Sequence, residues 1–280
     1  MVKRFLLSFG MALLFLLIFL KYIPIRQVLN EFRSLSPLDI ILAFAFYTVS
    51  QIVRSMRWLP LLKGFNLYQV YLINSANIFL NNLLPARTGE LSWFYYANRF
   101  GVSFRTSLWA FFVGRFFDLA AMLFITIFIY YLMHPTLWHL LFFIPLPFLL
   151  HKTYLLVPPI GKLRGIRDYA EKNVDLRLSL YLFSCSVMSV ILKFLALMWL
   201  VGGAFGFLEF LSYTFGELSS ILPVHSFMGY GTYELSFSVP AHLANADTKT
   251  WILKAFLFHN FLLISSALYG VISLYILHRR

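Results

Sequence analysis

Apolar runs near the length that crosses a bilayer follow one another along this chain, with only short polar gaps between them. A backbone surrounded by hydrocarbon has to satisfy its own polar groups, which leaves helices or a closed barrel. Alternating ten-residue strands joined by polar turns are absent, so the runs predict helices. Composition agrees: 60% of the side chains are hydrophobic and 12% are charged, with a mean hydropathy of +0.78. The expected fold is an all-α polytopic membrane protein, a single membrane domain over residues 1–280.

Six crossings are expected, at about 5–22, 38–58, 106–132, 136–158, 178–201 and 250–276. Lys3 and Arg4 before the first run resemble a signal peptide, but the run is long and ends in Lys21-Tyr22 without a small-residue cleavage pattern, so it reads as a retained helix. The single Cys185 gives no disulfide framework and no zinc-finger spacing, and no cofactor or metal is expected. The net charge of +12 sits in clusters beside apolar segments. That placement suits membrane orientation and anionic lipid head groups, and nucleic acid is not expected as a partner.

Two further apolar stretches are broken near the middle by nearly the same phrase. The first reads Leu84-Pro85-Ala86-Arg87-Thr88-Gly89-Glu90-Leu91, and the second runs from Leu222-Pro223 through Gly229 and Gly231 to Glu234-Leu235. Proline and glycine break helix hydrogen bonding, while Arg and Glu are the residues a bilayer tolerates least. Each break leaves pieces of about 11–17 residues, which at ~1.5 Å per residue only partly cross a ~30 Å core. The expectation is two re-entrant helical hairpins, at 67–98 and 205–244.

Counting basic residues tests this drawing, because a wrong hairpin flips every later loop. With the N-terminus in the cytoplasm, fifteen of the 23 Lys and Arg fall inside, five fall outside, and Arg87, Arg115 and Lys193 lie at membrane depth. The excess has the expected sign. The same drawing brings the first hairpin in from the cytoplasm and the second from outside, so the repeats are inverted, a recurring transporter architecture. The halves are 1–158 and 178–280, joined by a charged cytoplasmic interfacial linker at 159–177, and both termini are cytoplasmic.

The polar residues at depth are the candidate substrate-binding site. Arg87 and Glu90 flank the first break, where they either present opposite charges to a phosphate-bearing or zwitterionic ligand or pair to hold the hairpin tip. His225, Ser226 and Glu234 occupy the matching zone of the second, with Gly229 and Gly231 letting backbone amides approach a ligand. His225 is either a proton-coupling group or a simple donor to a carbonyl. Glu217 reads as a candidate snorkelling or helix-end carboxylate. Arg115 and Asp118 share a helix face, able to pair with each other or to hold a head group, and Lys193 is a counter-ion for Glu90, Glu217 or Glu234. Arg54 and Arg57, beside Trp58, are either a cytoplasmic anchor or a head-group entry site for an anionic lipid.

Taken in order, Arg54-x-x-Arg57-Trp58, Asn81-x-x-Leu84-Pro85-x-Arg87-x-Gly89-Glu90, Arg115-x-x-Asp118 and Pro223 with Gly229-x-Gly231-x-x-Glu234 resemble the lysylphosphatidylglycerol synthase transmembrane-region family. The resemblance covers most of the chain. It implies a flippase-like protein of a prokaryotic cytoplasmic membrane that moves a lipid, such as an aminoacylated phospholipid or a polyprenyl- or glycolipid, between leaflets. Met228-Gly229 stands where that family commonly has paired glycines, and the soluble aminoacyl-transferase domain is missing, so synthesis of lysyl-lipid is not expected. The leading expectation is therefore a lipid transporter and not an enzyme, its partner a lipid with an anionic or zwitterionic head group. No phosphate-binding Gly-x-x-x-x-Gly-Lys-Ser/Thr loop is present to supply nucleotide energy. The alternatives are an intramembrane lipid-modifying enzyme with His225 as base and Glu234 or Glu90 as partner, and a non-transporting membrane adaptor.

Overall fold

The computed structural model describes residues 2–62, 64–136, 147, 150–156, 160, 164, 167–168, 171–172, 174–202, 206–219 and 226–279. Among them the secondary structure is helical throughout. The helices are α1 (Val2–Tyr22), α2 (Ile25–Ser34), α3 (Pro37–Met56), α4 (Leu67–Leu83), α5 (Leu91–Arg99), α6 (Phe104–Met133), α7 (Leu176–Val201), α8 (Phe207–Ser219), α9 (Thr232–Leu243) and α10 (Thr248–Arg279). Short 3-10 turns at Pro85–Glu90 and Phe227–Gly229 separate α4 from α5 and α8 from α9.

Local chemistry sets the ends of these helices. Ser36 caps α3 by accepting from the Leu38 N–H at 3.2 Å, with Pro37 at the first helical position. Asn66 and Gln69 form a reciprocal capping box at the start of α4, at 2.9 and 3.1 Å. Asp175 accepts from the Leu178 N–H at 2.7 Å to begin α7, which ends on left-handed Gly202.

Four of the described helices, α3, α6, α7 and α10, are long and apolar enough to span a membrane, and a fifth span results if the bent pair Phe9–Tyr22 and Ile25–Ser34 counts as one. The bend between that pair is 87°. The surface is the reverse of a soluble protein's. Phe112, Leu119 and Leu123 on α6 and Ile264, Leu268 and Val271 on α10 are exposed, while Gln51, Arg57, Asn74, Asn77, Asp118, Glu234 and His259 are buried. Exposed leucines with buried charges suit a hydrocarbon solvent, and the chain is an all-α polytopic membrane protein.

The expected spans at 38–58, 106–132, 178–201 and 250–276 match α3, α6, α7 and α10 within three residues at each end. The fourth expected span, 136–158, and most of the 159–177 linker lie outside the described residues. One element was not anticipated: α2, between the first two expected spans, is a short amphipathic helix set across the end of α1.

One order of elements occurs twice: a spanning helix, two short helices around a break, then a long helix. It runs α3, α4, α5, α6 and again α7, α8, α9, α10. The two leading helices, α3 and α7, pack along each other through small polar residues, with Ser50 Oγ donating to Ser189 O at 2.8 Å. Each broken pair then reaches the long helix of the other set. α4 lies along α10, where Asn82 Nδ2 donates to Ser266 Oγ at 2.9 Å, and α8 touches α6. The two breaks meet each other, and both touch α1.

Candidate functional site

Where these elements converge, the bundle holds a cavity of about 140 Å³. α3 supplies Tyr47 and Arg54, with Arg57 and Trp58 just past its end; α4 supplies Asn74, Asn77 and Asn81; α6 supplies Arg115 and Asp118. The second set adds Lys193, Tyr213, Glu217, Tyr233 and His259. Four permanent cations thus line the cavity against two carboxylates. A further carboxylate, Glu90, stands just behind the lining beside Arg115.

Each lining charge has a partner on another element. Asp118 joins Arg57 and also Arg54, the latter at 3.3 Å. Arg57 is only 1% exposed, donates to Ser186 Oγ at 2.8 Å and lies 4.8 Å from the centre of the Trp58 ring. It caps the end of α3 in helical geometry, its N–H still donating to Val53 O, and a run of turns follows it. The sequence left Arg54 and Arg57 as either a cytoplasmic anchor or a head-group entry site; in the structure Arg57 is buried within the bundle and Arg54 half-buried. Arg115 Nη2 is 3.3 Å from Glu90 Oε1, and Lys193 Nζ donates to Glu217 Oε2 at 2.7 Å. Glu217 is therefore the counter-ion that the sequence left undecided for Lys193.

The breaks sit directly behind this lining. In the first, Asn77 Nδ2 donates to Gly89 O at 3.1 Å and to Ser92 Oγ at 3.2 Å, tying α4 across the turn to α5. A Cβ on Gly89 would collide with the backbone of Leu80 and Asn81, which has no rotamer to yield. Gly89→Ala is expected to destabilise the protein by about 3 kcal/mol, the upper range for overpacking, read as an earlier thermal transition in detergent.

In the second break Glu234 is fully buried, its Oε2 accepting from the Gly231 N–H at 2.7 Å and its Oε1 lying 2.7 Å from His259 Nδ1. Gly231 has φ +88 and backs onto Phe15 of α1. Ser226 braces the same turn, donating to Tyr230 O, and does not line the cavity. His225 and Pro223 lie outside the described residues, as does the side chain of Arg87.

The partner that sequence reasoning missed is His259. Glu90 reaches a nitrogen base 25 residues further on, Arg115, and Glu234 reaches one 25 residues further on, His259. The Glu-Leu phrase aligned the two carboxylates, and the same spacing carried one step further points to His259. The asparagine row on α4, Asn74, Asn77 and Asn81, was readable too, since those spacings share one helix face.

Against known proteins, the family model described as the lysylphosphatidylglycerol synthase TM region matches residues 4–270. The chain belongs to this family. Neither the curated proteins nor the solved structures gave a match. The matched region takes in every residue that lines the cavity, so in this family member the lining charges belong to the shared membrane domain itself. Among the described residues no group of three or more His, Cys, Asp or Glu gathers as metal ligands. What the lining offers is guanidinium, ammonium, amide, phenol, imidazole and carboxylate groups.

Proposed function

We propose that this protein moves a lipid with an anionic or zwitterionic head group between the leaflets of a prokaryotic cytoplasmic membrane, the head group crossing in the charged cavity while the tails stay in hydrocarbon. The observation that carries the proposal is the gathering of Arg54, Arg57, Arg115 and Lys193 around one cavity inside a bundle whose outer face is apolar. Buried charge at that depth is costly unless it serves a polar passenger. Arg54 Nε, Arg57 Nε and Trp58 Nε1, on lining residues, are buried donors with no acceptor among the described residues. A phosphate oxygen is the acceptor such donors suit.

The two halves are inverted re-entrant units in this proposal, with both termini cytoplasmic. The repeated element order, the contact between the breaks and the basic-residue asymmetry support that arrangement. Single cysteines at positions 86 and 227 are expected to react with impermeant reagents added from opposite sides of the membrane. Labelling of both from one side excludes the inversion.

The function itself is tested in liposomes carrying the purified protein and a phospholipid labelled on its head group. Label from the inner leaflet becoming accessible to an impermeant quencher, with the lipid chemically intact, is the expected result. A modified lipid instead assigns the enzyme reading, and neither movement nor modification leaves the adaptor.

A further inference from the structure

The two breaks are anchored in the same way by different chemistry. Glu90 of the first holds Arg115, whose guanidinium keeps its charge, whereas Glu234 of the second holds His259, an imidazole that can take up a second ring proton. Both pairs span 25 residues, from a break to the following long helix, so they occupy corresponding places in the two sets. One anchor is permanent and the other is titratable.

His259 is built into its place. Tyr233 stacks on its ring with centroids 4.7 Å apart, Tyr230 lies 5.2 Å away, and the Tyr230 hydroxyl donates to Asn260 Oδ1 at 2.7 Å. The imidazole also lines the charged cavity. With Glu234 ionised, Nδ1 carries the hydrogen shared with Oε1, and a further proton enters at Nε2. The charged and titratable groups around it can be named for each packed element. α9 and the turn before it give Glu234, Tyr233 and Tyr230; α7 gives Lys193; and α8 gives Glu217, reached through the Tyr233 hydroxyl at 3.5 Å. α4 contributes asparagines and Tyr71, the latter against Tyr269 further along α10, and α1 meets α10 through Phe19 on Phe256. Across the cavity stand Arg54, Arg57, Arg115 and Asp118.

We infer that the His259–Glu234 pair is a proton-binding site whose occupancy is linked to that of the cavity, so that an anionic lipid head group and a proton bind together. The inference rests on the proposed function for the identity of the cavity's ligand. Its logic is reciprocal. A negative charge entering the cavity favours the charged imidazolium, and a charged imidazolium adds a fifth cation for the anion to meet. Because Glu234 also accepts from the Gly231 N–H, the proton state of the pair is read by the turn that separates α8 from α9. At the first break the corresponding partner, Arg115, keeps its charge.

The test is calorimetry of dihexanoyl phosphatidylglycerol, whose phosphodiester keeps one charge between pH 6 and 8, binding to the intact protein in detergent. Titrations in buffers of different ionisation enthalpy count the protons taken up with each lipid. The expected result is binding about tenfold tighter at pH 6 than at pH 8, with uptake of up to one proton per lipid near neutrality. His259→Gln abolishes the uptake. Glu234→Gln keeps it but moves it to lower pH, because the imidazolium has lost its carboxylate. A merely structural role for the pair moves neither. Wild-type binding without proton uptake overturns the inference while leaving the proposed function standing, and wild-type uptake retained in His259→Gln overturns it equally. If His259→Gln does not fold, an unshifted Glu234→Gln profile decides against the inference. Absence of any lipid binding by the wild type defeats the proposed function instead, and is seen directly as missing binding heat.

Discussion

Asp118→Ala is expected to cost about 3–5 kcal/mol of stability, the range for removing one partner of a buried ion pair. Asp118 is the carboxylate that holds both Arg54 and Arg57, and Arg57 is almost fully buried. Without it, two guanidiniums from the end of α3 face each other inside the bundle with Ser186 as a neutral acceptor for one of them. Their repulsion acts where α3, α6 and α7 meet, so the damage is to the frame and not only to the cavity. The measurement is thermal unfolding of the detergent-solubilised protein, where the variant loses its folded fraction well below the wild type. A transition unchanged from the wild type shows that Asp118 is dispensable to the frame. Arg57→Met combined with Asp118→Leu removes the charge and its counter-charge together and is expected to recover much of the stability, since apolar residues of similar volume replace a buried pair at little cost. Transport stays lost in that double variant, because the cation is gone.

The reach of the sequence is clearest at the two breaks. Proline and glycine inside apolar runs leave few other conformations, and among the described residues each stretch has a helix on either side of a 3-10 turn, at Pro85–Glu90 and at Phe227–Gly229. The long spans were legible for the same reason, one apolar period over many residues. α2 escaped because ten residues give little hydropathy, yet Ile25, Val28, Leu29 and Phe32 carry the helical spacing. Arg57 misled because a cation at the end of an apolar run reads as interfacial, and nothing local says that the chain then folds back to meet an aspartate 61 residues later. His259 was hidden differently. A lone histidine in an apolar helix carries no signal of its own, and only the partner spacing already present in the first half gives it away.

Lys193→Ala is expected to lower lipid translocation by roughly 100-fold, in line with truncating one member of a desolvated charge pair. Lys193 Nζ lies 2.7 Å from Glu217 Oε2, with both side chains mostly buried, and both residues line the cavity. Loss of the ammonium takes the nearest cation from Glu217 where, on the proposed function, an anionic head group passes, so the change both removes an attraction and unmasks negative charge. That result alone does not separate a ligand-binding cation from a helix-to-helix tie between α7 and α8. The exchanged variant Lys193→Glu with Glu217→Lys does. It keeps the net charge of the cavity and restores an ion pair between the same two helices, so the part of the defect due to packing is repaired and thermal stability returns toward the wild type. The ammonium, however, now projects from α8 beside the second break, and the carboxylate stands on α7 opposite. Translocation is expected to remain low in the exchanged protein despite its recovered stability. Recovery of both together assigns the pair to the frame and moves the binding role to Arg54, Arg57 and Arg115.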